Sequence, residues 1–332
     1  MQLVSGKQAQ LHGANARVQL LKRCGLCAEK DGGWFTAMLY EESGEATATA
    51  SLDGDVIKCV AVAPERRGEG LLAPVLTAVV GEAFRRGRQH LMLYTKPENR
   101  GLFAGYGFWP VAETARVLLM ENERDGVDRF VHGLRPAEAH GVQGAAVLHA
   151  DPFTLGHLSL VARACTQCDI LHLFILSENR GRFSAADRLA MARACTAALP
   201  GVLVHETGPY LVSAATFPDY FLPDKEEREQ CSAALDIAVF LRCFAGPLGI
   251  SRRFVGSEPL CATTAAYNAQ MRTAFAGSGV ELVEFERFAR DGAPVSAGRV
   301  RALLAQGHLC EAAALVPPQA VPWLRAAKGE SR

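Results

Sequence analysis

An apolar run, Gly144 to Ala150, leads directly into Asp151-Pro152-Phe153-Thr154-Leu155-Gly156-His157, and apolar residues at helical spacing follow. A short strand, a tight turn and a helix N-terminus in that order build an anion site. Backbone N–H groups that lack intrahelical partners, and the positive end of the helix dipole, face whatever lies over the turn. Thr154 stands at the N-cap, with a hydroxyl for a backbone N–H or a phosphate oxygen. Gly156 has no Cβ and lets a phosphate approach the backbone. His157 lies on the first turn, where side chains lean toward the N-terminus, so its imidazole reaches the same anion. From these seven residues alone, an ordinary helix start with a solvated histidine stays open as the alternative.

The strand-then-helix order continues. Strands are expected at 145–150, 170–176, 202–206, 253–256 and 280–285, with helices at 155–165, 185–198, 227–244, 265–276 and 296–306. Such alternation means a parallel sheet covered by helices, with ligands beyond the carboxyl ends of the strands. The segments Thr154–His157, Ser177–Arg182 and Gly256–Pro259 follow strand ends and are expected to converge. The first half reads differently. Strands are expected at 34–40, 45–51, 56–63 and 90–95, a helix carrying Leu72, Val75, Leu76, Val79 and Ala83, and a short helix within 101–108. Charge-dense residues 121–129 and the Gly/Pro-containing stretch 133–141 mark a boundary, giving domains 1–135 and 136–332. The fold class is α/β, an α+β domain followed by a Rossmann-like one.

With 332 residues, two domains are the expectation. Lys+Arg and Asp+Glu each number 35, which argues against a general nucleic-acid or membrane-surface binder. No uninterrupted apolar run approaches the roughly 20 residues that span a bilayer, and Met1 to Asn15 lacks a secretory apolar stretch. A cytoplasmic location is expected. Of the ten cysteines, Cys24/Cys27 and Cys165/Cys168 have zinc-ligand spacing. They lie in different halves, and Cys165 belongs to an amphipathic helix, so all are read as reduced, mostly buried thiols and no bound metal is expected.

A second constellation is Ser296-Ala297-Gly298-Arg299-Val300-Arg301. Ser296 is an N-cap, Val300, Leu303 and Leu304 form a buried stripe, and Gly307 ends the helix. Arg301, one turn in, can lean back and hold two phosphate oxygens with its planar guanidinium.

Thr154-x-Gly156-His157 with Ser296-x-x-x-x-Arg301 resembles the nucleotidylyltransferase superfamily. The strings 151–157, Ser213-Ala214-Ala215-Thr216-Phe217-Pro218 and Phe254-Val255-Gly256-Ser257-Glu258-Pro259, with the Tyr267-Asn268 helix, narrow the resemblance to the citrate (pro-3S)-lyase ligases. The first half resembles the GNAT fold: Val62-Ala63-Pro64-Glu65-Arg66-Arg67-Gly68-Glu69-Gly70 matches its pyrophosphate loop, and 99–108 its later signature. Three departures stand out: Asp151 replaces the usual Asn, Gly298 replaces a hydroxyl residue, and Leu72 a small one.

The resemblance implies activation of acetate with ATP as acetyl-AMP, release of pyrophosphate, and transfer of acetyl to a thiol of the citrate lyase acyl carrier subunit. Catalysis would fall to His157, Thr154 and Arg301. ATP would be bound by Asp151, Pro152, Phe153, Gly156, Gly256, Ser257, Glu258, Ser296 and Arg188, with Gly256, Ser257 and Glu258 bordering the adenosine and Arg180, Arg182 and Arg188 closing over the triphosphate; an ordinary strand-to-helix turn at 256–259 and a merely solvated charged loop at 180–188 stay open as the alternatives. Mg²⁺ would accompany the ATP. Arg67, Gly68 and Gly70 would meet the pantetheine-pyrophosphate part of the carrier's dephospho-CoA-derived arm. Phe153, Phe217 and Tyr220 are the apolar residues expected near the acyl group. The malonate decarboxylase carrier as client, and an adenylyltransferase acting on a phosphorylated pantetheine or vitamin, stay open as alternatives.

Overall fold

The computed structural model describes residues 1–7, 14–27, 34–135, 140–179, 181–211, 217, 220, 222, 224–258 and 262–327. They form two compact units, Met1–Gly126 with Phe217–Leu235, and Val127–Thr216 with Asp236–Arg332.

The first unit holds β1 (Gln2–Lys7), α1 (Ala14–Arg23), β2 (Phe35–Tyr40), β3 (Ala46–Asp53), β4 (Val56–Val62), α2 (Leu72–Arg85), β5 (Met92–Thr95), α3 (Arg100–Ala104), β6 (Trp109–Glu113) and β7 (Leu118–Glu121). Its sheet runs β1-β2-β3-β4-β5-β7-β6. β2 is buried on both faces because alternate residues meet different partners. Ala37 and Leu39 pack with the α2 stripe Leu72, Val75, Leu76 and Val79, while Met38 and Tyr40 pack with Leu20 of α1. All neighbours are antiparallel except β4 and β5, which pair in parallel only at Val56↔Met92 and Ile57↔Leu93. The β3–β4 register shifts between Thr49 and Ser51, and opposite the shift Cys59 sits in the left-handed region at φ 50°. This bulge bends β4, and β4 and β5 share no ladder beyond it. The mixed sheet with one splayed parallel pair bears out the GNAT-like α+β fold expected for this half.

The second unit begins with α4 (Gly126–His132) and continues through β8 (Gln143–Leu148), α5 (Leu155–Ala164), β9 (Ile170–Ile175), α6 (Ala185–Thr196) and β10 (Val202–Glu206). α7 (Lys225–Val239), which enters the second unit only from Asp236, runs through a π-helical turn, Phe240–Ala245, into α8 (Gly246–Leu248). Then come β11 (Ile250–Gly256), α9 (Ala262–Phe275), β12 (Glu281–Phe285), a hairpin of β13 (Ala289–Arg290) and β14 (Ala293–Pro294), α10 (Ala297–Ala305), α11 (Leu309–Ala313) and α12 (Val321–Ala326). The sheet is wholly parallel, in the order β10-β9-β8-β11-β12. This is the expected Rossmann-like arrangement.

Two sequence expectations change. The boundary falls at Gly126/Val127 instead of near residue 135, because Phe130 of α4 packs on Tyr210 and Phe244 of the second unit. Residues 217–235 join the first unit: Phe217 meets the Tyr94 ring edge-on at 5.7 Å, and the Tyr220 hydroxyl donates to the Tyr94 carbonyl at 2.6 Å. Secondly, Lys225–Leu248 is long and apolar enough by length and composition to cross a membrane, although 61% of its apolar window is buried inside the protein. Asp236 and Arg242 interrupt that run, which hides it from a search for unbroken apolar sequence.

β9 and β10 carry a histidine pair, His172 fully buried and His205 half-buried. His172 Nε2 lies 3.3 Å from Gln143 Oε1, and His172 Nδ1 lies 3.1 Å from His205 Nε2. The amide oxygen fixes the tautomer: His172 donates through Nε2 and accepts through Nδ1 from His205. Burial pushes both rings down from 6.5 to about 4. Between those values the unfolded chain binds more protons than the folded one, so stability rises with pH across the window. The denaturant midpoint of the second unit is therefore expected to fall as pH drops from about 6.5 toward 4, and His205→Leu should flatten that slope. A midpoint insensitive to acid would contradict the neutral pair.

Candidate active site

The strand order of the second sheet decides where a ligand can sit. From β8 the chain steps outward to β9 and β10, then returns to the opposite side of β8 for β11 and β12. Loops leaving β8 and β11 therefore diverge, opening a crevice at the carboxyl ends of the strands. A cavity of about 230 Å³ lies there, lined by the end of β8, the end of β11, Thr154, Gly156, His157 and Ser296.

Thr154 caps α5 as expected. Its Oγ1 accepts from the His157 N–H at 3.4 Å, and His157 Nδ1 accepts the Thr154 N–H at 3.0 Å. This reciprocal box satisfies two otherwise orphaned donors. It also settles the imidazole tautomer. With Nδ1 accepting, the neutral ring carries its proton on Nε2. Burial first, then the charge of Arg287 and the neighbouring His149, push the ring from 6.5 to about 4. His157 is thus a neutral, oriented donor at physiological pH.

Gly156 lines the cavity and also meets a packing demand that its local sequence does not show. A Cβ there would lie 2.9 Å from the Val295 carbonyl oxygen. The missing side chain admits protein backbone, and this brings the next residue, Ser296, against the α5 N-terminus. Ser296 caps α10 by accepting from the Arg299 N–H at 3.1 Å. Two capped helix N-termini therefore border one cavity.

Beyond β11, Gly256, Ser257 and Glu258 line the same cavity. Ser257 donates its N–H to Phe285 at 2.7 Å and accepts the Arg287 N–H on its hydroxyl, while the Glu258 carboxylate pairs with the Arg287 guanidinium. The loops after β11 and β12 are thereby tied together.

Other expected site residues are placed elsewhere. Asp151 does not line the cavity. Its carboxylate, 2% exposed, accepts the N–H groups of Arg182 and Phe183 at 3.0 and 2.9 Å. Pro152 follows it through a cis peptide bond. Phe153 is wholly buried in the core of the unit. Arg301 faces Asp151, donating to its backbone carbonyl with the guanidinium 3.6 Å from Oδ2. Arg188 is 0% exposed and donates to the carbonyls of His149 and Glu178, so it braces the protein and does not close over an anion. The expected three-segment convergence is incomplete: Arg182 reaches Asp151, outside the cavity. Phe217 and Tyr220 belong to the first unit, while Phe153 is core of the second. Arg180, Ser213–Thr216, Pro218 and Pro259 lie outside the described residues.

The cavity also contains side chains to which sequence reasoning assigned no role: Arg163, Arg253, Arg287, Tyr267 and Asn268. Arg163 stacks 4.2 Å over Phe285 and donates to the Glu286 carbonyl. Arg253 lies 4.4 Å over Phe240, and Tyr267 donates its hydroxyl to Asp236. Arg287 follows a strand end, the same signal that picked out Gly256. Three guanidinium groups in one crevice suit a polyanion. Among the described residues, no group of three or more His, Cys, Asp or Glu is placed to hold a metal.

The first unit has a larger cavity of about 540 Å³. It is lined by the splayed strands (Val60–Val62 and Leu93–Thr95), by Arg66, Arg67, Gly68 and Gly70, and by Tyr106 and Tyr220. Gly68 and Gly70 have φ +86° and +76° with open space where a Cβ would stand. They shape the loop leading to α2, whose N-cap residue Leu71 gives no side-chain cap. Ala73 donates its N–H to the Gly70 carbonyl at 3.2 Å and Pro74 has none, so the anion-attracting end of this 14-residue helix is the backbone at Leu71 and Leu72. Arg66 is committed to Glu41 and Glu69.

A family model described as the citrate lyase ligase C-terminal domain matches residues 143–324. The chain is 40% identical over 294 residues to the citrate (pro-3S)-lyase ligase of Klebsiella pneumoniae, covering 87% of this chain and 86% of that one. It is 38% identical over 285 residues to the enzyme of the same name from Escherichia coli K12, covering 84% and 81%. The Haemophilus influenzae enzyme of that name is 33% identical over 293 residues, covering 86% and 88%.

Asp151→Ala would strip acceptors from two backbone N–H groups and leave Arg301 without its carboxylate. Each unsatisfied buried donor costs about 1–3 kcal/mol. A thermal unfolding midpoint several degrees lower is expected; an unchanged midpoint would mean that the Arg182–Phe183 turn does not depend on this carboxylate.

Proposed function

The chain belongs to the citrate lyase ligase family, and from that premise we propose that it activates acetate with ATP, releasing pyrophosphate, and passes the acetyl group to a thiol of the citrate lyase acyl carrier subunit. Acetate is a poor acyl donor because its oxyanion leaves badly. Attack of the acetate oxygen on the α-phosphate makes acetyl-AMP and expels pyrophosphate, and AMP then departs readily when the thiol attacks the carbonyl carbon.

The observation that carries this reading is the locked imidazole of His157. Its Nδ1 is held by the Thr154 N–H, which leaves Nε2–H as a preorganised donor beside a helix N-terminus, in a cavity that also contains Ser296 and three arginines. Negative charge gathers on phosphate oxygens in the transition state, and a neutral oriented donor stabilises it without reorganisation. Mg²⁺ would accompany the triphosphate, held chiefly by its phosphates and water, and would offset charge on the leaving pyrophosphate. Arg301, pointed at Asp151, meets the departing pyrophosphate only by turning from that carboxylate. We assign the first-unit cavity to the pantetheine-pyrophosphate part of the carrier's arm. In support, it combines the uncapped α2 N-terminus and Arg67 for phosphates with an apolar strand-splay for the chain of the arm. Reduced thiols, an ATP supply and this client together indicate the cytoplasm.

The first measurement is pyrophosphate release with and without acetate. His157→Asn keeps an acceptor for the Thr154 N–H and removes the Nε2 donor; acetate-dependent release should fall about 10²–10³-fold. Near-normal release would remove His157 from catalysis. Because the ring stays neutral above about 4, acetate-dependent exchange of pyrophosphate into ATP should show no loss as pH rises through 6.5; a loss there would require a protonated imidazole. Arg67→Glu should lower thioester formation and spare that exchange. Equal losses in both would sink the assignment of the first-unit cavity.

A further inference from the structure

Two side chains just beyond adjacent strands form a second titratable centre that the reaction above does not use. His149 follows β8 and Glu178 follows β9 by three residues. His149 Nε2 stands 3.1 Å from Glu178 Oε1. The contact is close but not aligned as a hydrogen bond, so the carboxylate orients the ring by charge. Glu178 is 10% exposed and His149 40%, while Nε2 itself is buried. The accessible part of the histidine is therefore the rest of its side chain, where Nδ1 is the remaining basic atom.

The backbone beneath this pair is fixed with unusual care. Buried Arg188 donates Nη1 to the His149 carbonyl at 2.8 Å and Nη2 to the Glu178 carbonyl. One planar guanidinium thus sets the spacing of both residues. Ala150, immediately after His149, is held at φ 51° although it is not glycine. Such conformations persist only where surroundings enforce them, and they cluster at functional sites.

Among the described residues, the charged groups that bear on His149 are Glu178 after β9, Arg188 of α6, Asp151 of the turn before α5 and Arg301 of α10. His157 of α5 also senses it. Burial and the two arginines hold the imidazole below 6.5, against the opposing pull of the two carboxylates. A carboxylate at Nε2 favours the tautomer with the proton there and leaves the Nδ1 lone pair as the basic site, the arrangement of a carboxylate–histidine general base.

We propose that His149, oriented by Glu178, is the base that takes the proton from the carrier thiol as it attacks the acyl adenylate. The thiol S–H proton moves to Nδ1 and a C–S bond forms. The tetrahedral intermediate then breaks its C–O bond to release AMP, and the imidazolium returns its proton to water. This rests on the acetyl-AMP reading above. It adds a catalytic residue to the second half-reaction only.

The test separates the half-reactions. Acetate-dependent exchange of labelled pyrophosphate into ATP reports adenylation; acetylation of the deacetylated citrate lyase carrier subunit, followed by mass, reports thioester formation. In His149→Gln, exchange should stay within about twofold while thioester formation falls about 10²–10³-fold, the ordinary range for a general base. The wild-type thioester rate should rise with pH through an ionisation below 6.5 and then level. In the variant that limb should vanish, leaving a rate that climbs toward the thiol's own ionisation near about 8.5. Glu178→Gln should move the low-pH limb without abolishing it. The proposal is overturned if His149→Gln forms thioester normally, if both half-reactions fall together, or if the low-pH limb survives in the variant. Absence of acetate-dependent exchange in the wild type would instead remove the parent reading.

Discussion

The approach of the Val295 carbonyl to Gly156 holds the second unit's site together. A methyl group at residue 156 would sit 2.9 Å from that oxygen. Without it, the peptide before α10 lies directly against the first turn of α5, and two segments almost 140 residues apart in sequence place their N-caps around one cavity. Two helix dipoles then contribute to the same field. The parallel sheet supplies the second half of the constraint, because its reversal between β8 and β11 opens the crevice that these helix ends border.

Much of this was legible beforehand. Strand–helix alternation gave every strand of the second sheet to within a few residues, since period and turn chemistry are local. Thr154 and Ser296 were legible as caps for the same reason: a cap depends on residues three positions away. What the sequence concealed is consistently non-local. Gly156 looked like a phosphate-facing glycine, but the atom it makes room for comes from residue 295. Arg188 looked like a solvated cation near a phosphate, but it is wholly buried between two carbonyls. Phe153 looked like pocket lining and is core. The short strands β6 and β7 and the terminal helices α11 and α12 escaped because short elements stabilised by tertiary packing carry little periodicity.

Charge is used in two ways in the second unit. Arg163, Arg253 and Arg287 line the cavity, and two of them rest on aromatic faces, which holds a cation in place without neutralising it. Arg188 instead acts through geometry. Its planar fork reaches two carbonyls on adjacent loops, a task for which a lysine's single nitrogen is too short of directed donors. The same residue type is an electrostatic element in one place and a spacer in another; what decides is whether backbone oxygens or open cavity lie ahead of it.

The excursion of residues 217–235 into the first unit has a consequence for how this protein can be dissected. Tyr220 both lines the first unit's cavity and donates to the carbonyl of Tyr94, yet it is encoded between two elements of the second unit. No single cut in the polypeptide yields two intact pieces. A fragment ending at Gly126 would carry every strand of the first sheet and still lack part of its cavity wall. Independent inheritance of the halves, by gene fusion or fission at one junction, would require that wall to be rebuilt, so the discontinuity acts as a ratchet that keeps the two units in one chain.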